Sequence, residues 1–118
     1  LFKYSGDLEI IENLIVDANI NTTPAEIYYI PRTISLHPAY PNPFNAVTSI
    51  RFDIPSNDNI QLVIYDINGR RVDQLYQGNI IAGVHQANWN ADRFSSGIYF
   101  VSLTSSNYTL TQKIILLK

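Results

Sequence analysis

The chain has 118 residues, of which 46% are hydrophobic, and its formal net charge is −2. This length can bury a working core in one domain, but the nearly neutral charge offers no surface for nucleic acid or an anionic membrane. No apolar run approaches the roughly 20 residues that cross a bilayer as a helix. We therefore expect neither a nucleic-acid partner nor a transmembrane segment.

Residue usage favours strands and excludes cysteine chemistry. Seventeen Ile stand against seven Ala, with eight Tyr and five Phe, which is the balance that half-buried strands favour. The absence of cysteine excludes disulfides, thiol nucleophiles and thiolate metal sites. The absence of methionine predicts that Leu1 is an internal residue of a longer protein.

The first 40 residues are predicted to precede the main domain. Residues 1–30 form a predicted β-hairpin, with strands at residues 8–16 and 25–30, that ends a preceding domain or docks on the next one, because two strands alone are marginal. Residues 31–40 are a predicted proline-rich linker, since proline fixes φ and removes an amide donor.

Strands follow one another at regular spacing from residue 41 to residue 118. Residues 49–54 alternate apolar and polar side chains, and residues 60–66 are apolar on both faces, which predicts a central strand. Asn68-Gly69 predicts a type I′ turn, which returns the chain as a strand at residues 70–76. A longer connection is expected from Gly78 to Gly83.

The last strands predict the fold class. Residues 84–90 place Trp89 in the core, and the chain closes with paired strands at residues 97–104 and 108–117. A further strand is expected near residues 34–37. Short strands joined by hairpins, with no helical period, predict an all-β fold: an immunoglobulin-like antiparallel β-sandwich of about seven strands.

The residue pattern predicts no catalytic, metal or cofactor site. His37 and His85 have no metal-ligand spacing, and we expect His85 to be a packed strand residue with one bound nitrogen. The oxygens of residues 53–59 suggest turn capping rather than a calcium site. The tyrosines suggest internal packing, with a carbohydrate-stacking surface as the alternative.

Three motifs resemble one known family. They are Tyr-Pro-Asn-Pro-Phe-Asn at residues 40–45, Gly-Ile-Tyr-Phe-Val at residues 97–101 and Lys-Ile-Ile-Leu-Leu-Lys at residues 113–118. In this order they resemble the type IX secretion system C-terminal sorting domain (Por secretion system, type A sorting domain) of Bacteroidetes and related bacteria. The resemblance covers about residues 36–118.

This resemblance implies a non-catalytic secretion signal. The parent protein would enter the periplasm, and the domain would present its N-terminal cargo to the outer-membrane translocon and a surface peptidase, so that the cargo is secreted or held at the cell surface. The resemblance assigns the sorting motif to Pro41, Asn42, Pro43, Gly97, Tyr99, Lys113, Ile114, Ile115, Leu116, Leu117 and Lys118.

The terminal strand can also be interpreted physically. Its backbone, with Ile115, Leu117 and Lys118, could be added to a receptor sheet, or it could simply be the last strand of the sandwich. Residues 31–40 are the expected cleavage region, because a peptidase needs extended, exposed backbone. The alternative functions are a structural module similar to the flagellar hook-capping protein domain and a carbohydrate-binding accessory module.

Overall fold

The computed structural model describes residues 29–118, so the predicted hairpin lies almost entirely outside the described residues. This range contains seven strands and no helix, and hence no helix that could span a membrane. The strands are β1 Ser35–Leu36, β2 Val47–Ile54, β3 Asp58–Asp66, β4 Arg71–Ile80, β5 Gly83–Asn90, β6 Gly97–Thr104 and β7 Thr109–Leu116.

The strands form two sheets, which confirms the predicted all-β immunoglobulin-like sandwich. One sheet has the order β1-β2-β5 and the other the order β4-β3-β6-β7, and all neighbouring strands are antiparallel. β3 lies between β4 and β6, as its two apolar faces predict. β7 is an edge strand, so the last element of the chain forms one side of the sandwich.

The core lies between the sheets and follows the period of two along each strand. On β2, Ile50, Phe52 and Ile54 are buried, and on β7 the buried residues are Ile114 and Leu116. Each side chain of this size contributes about 1.5–3 kcal/mol when fully buried. The inward side chains at the end of the terminal strand therefore stabilise the core.

The turn after β3 differs from the predicted type I′ turn. Only Gly69 has a positive φ, of 82°, and its N–H donates to the carbonyl oxygen of Asp66 at 2.9 Å. This is a three-residue loop in which glycine takes the left-handed position. The Asp66 carboxylate explains the wider loop, because it accepts the N–H groups of Asn68 and Arg70, each at 2.9 Å.

These hydrogen bonds make the turn sensitive to acid. The N–H of Arg70, assisted by the N–H of Asn68 and the Arg70 guanidinium, lowers the pKa of Asp66 below its ordinary value. The stabilisation is therefore present above about pH 4 and is lost as the pH falls below it. Asp66→Ala is expected to lower the free energy of unfolding at pH 7 and to flatten its decline in acid, as measured by urea unfolding between pH 2.5 and 7.

The matched control for this turn is Asp92→Ala, which should leave the acid dependence of unfolding unchanged. Asp92 is exposed, and no hydrogen bond to its carboxylate occurs within residues 29–118. If Asp66→Ala and the wild type lose stability in parallel between pH 5 and pH 3, the proposed role of the Asp66 carboxylate is wrong.

β4 is longer than predicted and extends to Ile80. Gly78 is paired with Ile60, and Asn79 with Asn59, whose side-chain amides are also hydrogen-bonded at 3.1 Å. The predicted strand ended at Tyr76 because glycine weakens the strand pattern. Pairing with β3 overrides that weakness, so only residues 81–82 connect β4 to β5.

Candidate functional site

The opening motif, residues 40–45, lies against the outer edge of the terminal strand. The side chain of Asn42 makes two hydrogen bonds to β7. Its Nδ2 donates to the carbonyl oxygen of Lys113 at 3.2 Å, and its Oδ1 accepts the N–H of Ile115 at 3.0 Å. The side-chain amide thus takes the place that a neighbouring strand would occupy.

The backbone of Phe44 continues this pairing in the parallel sense. Its N–H donates to the carbonyl oxygen of Ile115, and its carbonyl oxygen accepts the N–H of Leu117, both at 2.9 Å. The Phe44 ring is buried, with its centroid 5.7 Å from that of Trp89. The peptide bonds Tyr40–Pro41 and Asn42–Pro43 are both cis.

We call these contacts of Asn42 and Phe44 with residues 113–117 the clamp. Of the two interpretations of the terminal strand, the clamp supports the structural one for the edge between residues 113 and 117. The carbonyl oxygen of Lys113, both backbone groups of Ile115 and the N–H of Leu117 already have partners. Strand addition along this stretch would require the clamp to open first.

Gln112 extends the contact to the segment before the opening motif. Its side chain accepts the N–H of Ala39 at 2.9 Å and donates to the carbonyl oxygen of His37. The His37 ring lies 2.9 Å from the buried carboxylate of Asp53 on β2. Sequence reasoning missed Gln112, although a polar residue on the inward face of a strand indicates a specific partner.

Lys118 lies after the end of β7 and is tied to the loop between β5 and β6. Its N–H donates to Ser96 Oγ at 2.9 Å. Its ammonium donates to the carbonyl oxygens of Phe94, at 3.0 Å, and of Asp92. The terminal cation is therefore not free, although its side chain is exposed.

Gly97 and Tyr99 lie opposite the terminal strand. Gly97 is paired with Leu116, and Tyr99 with Ile114. The Tyr99 hydroxyl donates to the carbonyl oxygen of Ser95 at 2.7 Å, and its ring packs edge-on against Trp89 with the ring centroids 5.3 Å apart. The fold thus brings all three sequence motifs to one side of the sandwich.

The residues of the sorting motif differ in what they expose. Ile114 and Leu116 are fully buried, and Tyr99 is 7% exposed. The half-buried members are Gly97 and Ile115, and the exposed members are Pro41, Asn42, Pro43, Lys113, Leu117 and Lys118. Only the half-buried and exposed residues can contact another molecule without unfolding.

Comparison with known families identifies the domain. Residues 38–117, about two-thirds of the chain, match the family described as the secretion system C-terminal sorting domain. The chain belongs to this family. The family is a C-terminal sorting signal of the type IX system that is non-catalytic in itself, and it directs protein to the cell surface or out of the cell.

Solved structures resemble the fold of this sorting domain. PorU from Porphyromonas gingivalis, described as dimeric and latent, aligns with a TM-score of 0.53 and 18% identity over 74% of this chain and 9% of its own. PorZ, a surface component of the type IX secretion system of the same organism, aligns with a TM-score of 0.48 and 22% identity over 71% of this chain and 12% of its own. The chain spans about a tenth of either protein, and no curated protein matches it.

Within the described sorting domain, the candidate chemical groups have structural partners. His85 packs on Phe52 at 5.6 Å and its Nε2 contacts the carbonyl oxygen of Ile81 at 2.8 Å, which confirms the predicted packed histidine. Residues 29–118 contain no group of three or more His, Cys, Asp or Glu side chains arranged to hold a metal. Asp58 accepts a hydrogen bond from Ser106 at 3.1 Å.

The clamp makes Asn42 a testable residue of the sorting domain. Asn42→Ala removes two hydrogen bonds and is expected to lower the free energy of unfolding by about 1–2 kcal/mol. Amide hydrogen exchange at Ile115 and Leu117 should accelerate, because the edge of β7 becomes open to water. Both effects can be measured by urea unfolding and NMR-detected exchange.

Asn88→Ala provides the control for the clamp. Asn88 lies on the outer face of β5, where its amide oxygen accepts a hydrogen bond from the Ser49 hydroxyl, and its strand pairs with β2 rather than with β7. This variant should leave exchange at the terminal strand unchanged. Equal exchange at Ile115 in Asn42→Ala and wild type would contradict the clamp.

Proposed function

We propose that the sorting domain delivers the preceding part of its own chain to the outer-membrane translocon of a type IX system. The observation that supports this most strongly is the family match, whose opening and closing motifs are joined by the clamp. A fold that encloses its own terminal strand presents the export motif only when the domain is folded. In this proposal the export machinery recognises the surface of the folded domain and not only the linear motif.

The sorting-motif residues divide into two roles in this proposal. The buried Ile114 and Leu116 hold the terminal strand in the core, whereas Lys113, Ile115 and Leu117 are accessible to the export machinery. Tyr99 supports the strand from the neighbouring position. The sorting domain itself performs no reaction in this proposal.

Surface processing is proposed to cut the chain before β1. Residues 37–40 are held by backbone bonds from His37 to Arg51 and from Tyr40 to Ser49, and by the Gln112 contacts. Pro31 is buried but Arg32 and Thr33 are exposed, so residues 32–33 are the proposed cleavage site within the expected region at residues 31–40. N-terminal sequencing of the domain released by the surface peptidase tests this, and a cut after Tyr40 would contradict it.

An export assay tests the proposed function. A reporter with an N-terminal periplasmic export signal is fused before the complete 118-residue chain in a bacterium that has a type IX system. The reporter should appear on the surface or in the medium, and deletion of residues 38–118 should leave it in the periplasm. Equal export by the deletion would overturn the proposal.

A control variant tests whether export depends on particular surface residues of the domain. Val84 is exposed on the outer face of β5, remote from the clamp. Val84→Ser should export the reporter as the wild type does. Export lost in this variant without loss of stability would show that the signal lies elsewhere on the sandwich.

A further inference from the structure

Four residues form one row across the outer face of the four-stranded sheet. Tyr65 is paired with Arg71 on one side and Phe100 on the other, and Phe100 is paired with Lys113. Tyr65, Phe100 and Lys113 alternate with the buried residues of their strands, so they face away from the core. Arg71 is exposed and is paired with Tyr65 just beyond a register shift, which places it on the same face. Two aromatic rings thus lie between two cations, whose Cα atoms are roughly 14 Å apart at the usual strand spacing.

Aliphatic side chains adjoin this row. Ile98 and Ile115 are paired with each other and half-buried. Val63, which also points outward, is only 2% exposed because its neighbours cover it. We call this surface the outer patch, and it consists of Tyr65, Arg71, Ile98, Phe100, Lys113 and Ile115.

Among the residues that the structure describes, no acidic side chain forms an ion pair with the cations of the outer patch. Within residues 29–118, neither Arg71 nor Lys113 forms an ion pair, and both side chains are exposed. The carboxylates on the same sheet, Asp58, Asp66 and Asp73, occupy the alternate, inward positions of their strands. A complementary surface must therefore carry negative charge around an apolar centre.

We propose that the outer patch is the surface through which an acidic protein of the export machinery recognises the terminal strand. This inference rests on the proposed function and specifies how its partner binds. The clamp occupies the edge of β7, so the strand can be recognised face-on through Lys113 and Ile115 without opening any backbone pairing.

The composition of the patch suits a protein partner. Aromatic and arginine side chains supply most of the binding energy in protein interfaces, and they do so near the centre of a water-excluding contact. Tyr65 and Phe100 form the centre here, and Arg71 and Lys113 form its rim. Within residues 29–118 neither cation has an ion pair to break, and the Arg71 guanidinium donates only to the neutral side chain of Gln74. Carboxylates on the partner would therefore bind both cations.

Charge reversal in the reporter fusion described above tests this inference. Lys113→Glu and Arg71→Glu should each reduce the amount of reporter at the surface about tenfold, because like charges at an interface are strongly unfavourable. Lys113→Arg, which keeps the positive charge, should export the reporter as the wild type does. Arg51→Glu is the matched control, since Arg51 is exposed on the outer face of the three-stranded sheet. It should change export less than twofold.

Folding and function are separated by two further measurements. Urea unfolding of the purified chains should give the same stability for all three charge reversals, so that lost export reports lost recognition. If deletion of residues 38–118 abolishes export but Lys113→Glu and Arg71→Glu export normally, the outer patch is not the recognition surface, although the proposed sorting function still holds. If the reporter is exported normally after the deletion, the proposed sorting function itself is wrong.

A vesicle assay distinguishes an acidic protein from an anionic membrane. The purified chain is sedimented with vesicles of phosphatidylglycerol and phosphatidylcholine. We expect no binding that depends on Lys113 or Arg71. Vesicle binding that Lys113→Glu abolishes would overturn the inference, because the patch would then bind a lipid surface.

Discussion

Ile114→Ala is expected to destabilise the domain far more than the same change one residue later. Ile114 is fully buried against Tyr99, whereas Ile115 is half-buried on the outer face. The lost burial and the cavity should cost about 2–5 kcal/mol at residue 114, whereas Ile115→Ala should cost about 1 kcal/mol. Urea unfolding of the two variants, which have identical chemistry at adjacent positions, measures the difference.

The export assay should distinguish the two variants, because the side chain of Ile115 is accessible to a partner and that of Ile114 is not. Ile115→Ala should fold and yet export poorly, because it alters a surface that a partner can contact. Ile114→Ala should export only as far as it folds, so its export should recover at lower temperature. Equal unfolding free energies for the two variants would contradict the assignment of Ile114 to the core.

The same argument changes how a terminal truncation is interpreted. Removing residues 113–118 deletes the buried Ile114 and Leu116 together with the strand held by the clamp. The combined loss approaches the 5–15 kcal/mol that stabilises a typical domain. Such a truncation would abolish export through unfolding, so single variants of exposed residues are the better test of recognition.

Trp89→Ala is the second change with a large expected effect. Trp89 is 1% exposed and contacts the rings of Phe44, Phe94 and Tyr99 at centroid distances of 5.7, 5.5 and 5.3 Å. Its removal should cost about 3–5 kcal/mol. The rings of the opening motif and of β6 should lose their common support, so hydrogen exchange at Leu117 should also accelerate.

A conservative variant separates packing from hydrogen bonding at this position. Trp89 Nε1 donates to Asp73 Oδ2 at 2.9 Å, which joins β5 to β4 across the edges of the two sheets. Trp89→Phe keeps most of the ring contact but loses this donor, and should cost about 1–3 kcal/mol. If Trp89→Ala unfolds no more easily than Val84→Ala, Trp89 is not the centre of the core.

Local patterns were sufficient to predict most of the fold. Alternation of apolar and polar side chains identified β2, and a run that is apolar on both faces identified β3 and its central position. The two errors have different causes, one within the turn itself and one in the pairing of neighbouring strands. Asn68-Gly69 suggested a two-residue turn, but hydrogen bonds to the Asp66 carboxylate favour a longer loop, and pairing with β3 carries β4 through Gly78.

The sequence identified the residues of the candidate site but not how they contact one another. The three motifs were recognisable by their order along the chain, and the family match spans residues 38–117. No local pattern could show that Asn42 bonds to Lys113 and Ile115, because these residues are more than 70 positions apart. Gln112 left a weak signal, as a polar residue on an inward face.

The amino-acid sequence by itself determined the fold class, the strand faces and the membership of a sorting family, because side-chain alternation and motif order are properties of neighbouring residues. Only the tertiary structure decided which parts of the terminal strand are accessible. Packing buries Ile114 and Leu116, and the opening motif occupies the strand edge. Register across four strands then places Arg71, Tyr65, Phe100 and Lys113 in one row, since β3 pairs with β6 from a distant part of the chain.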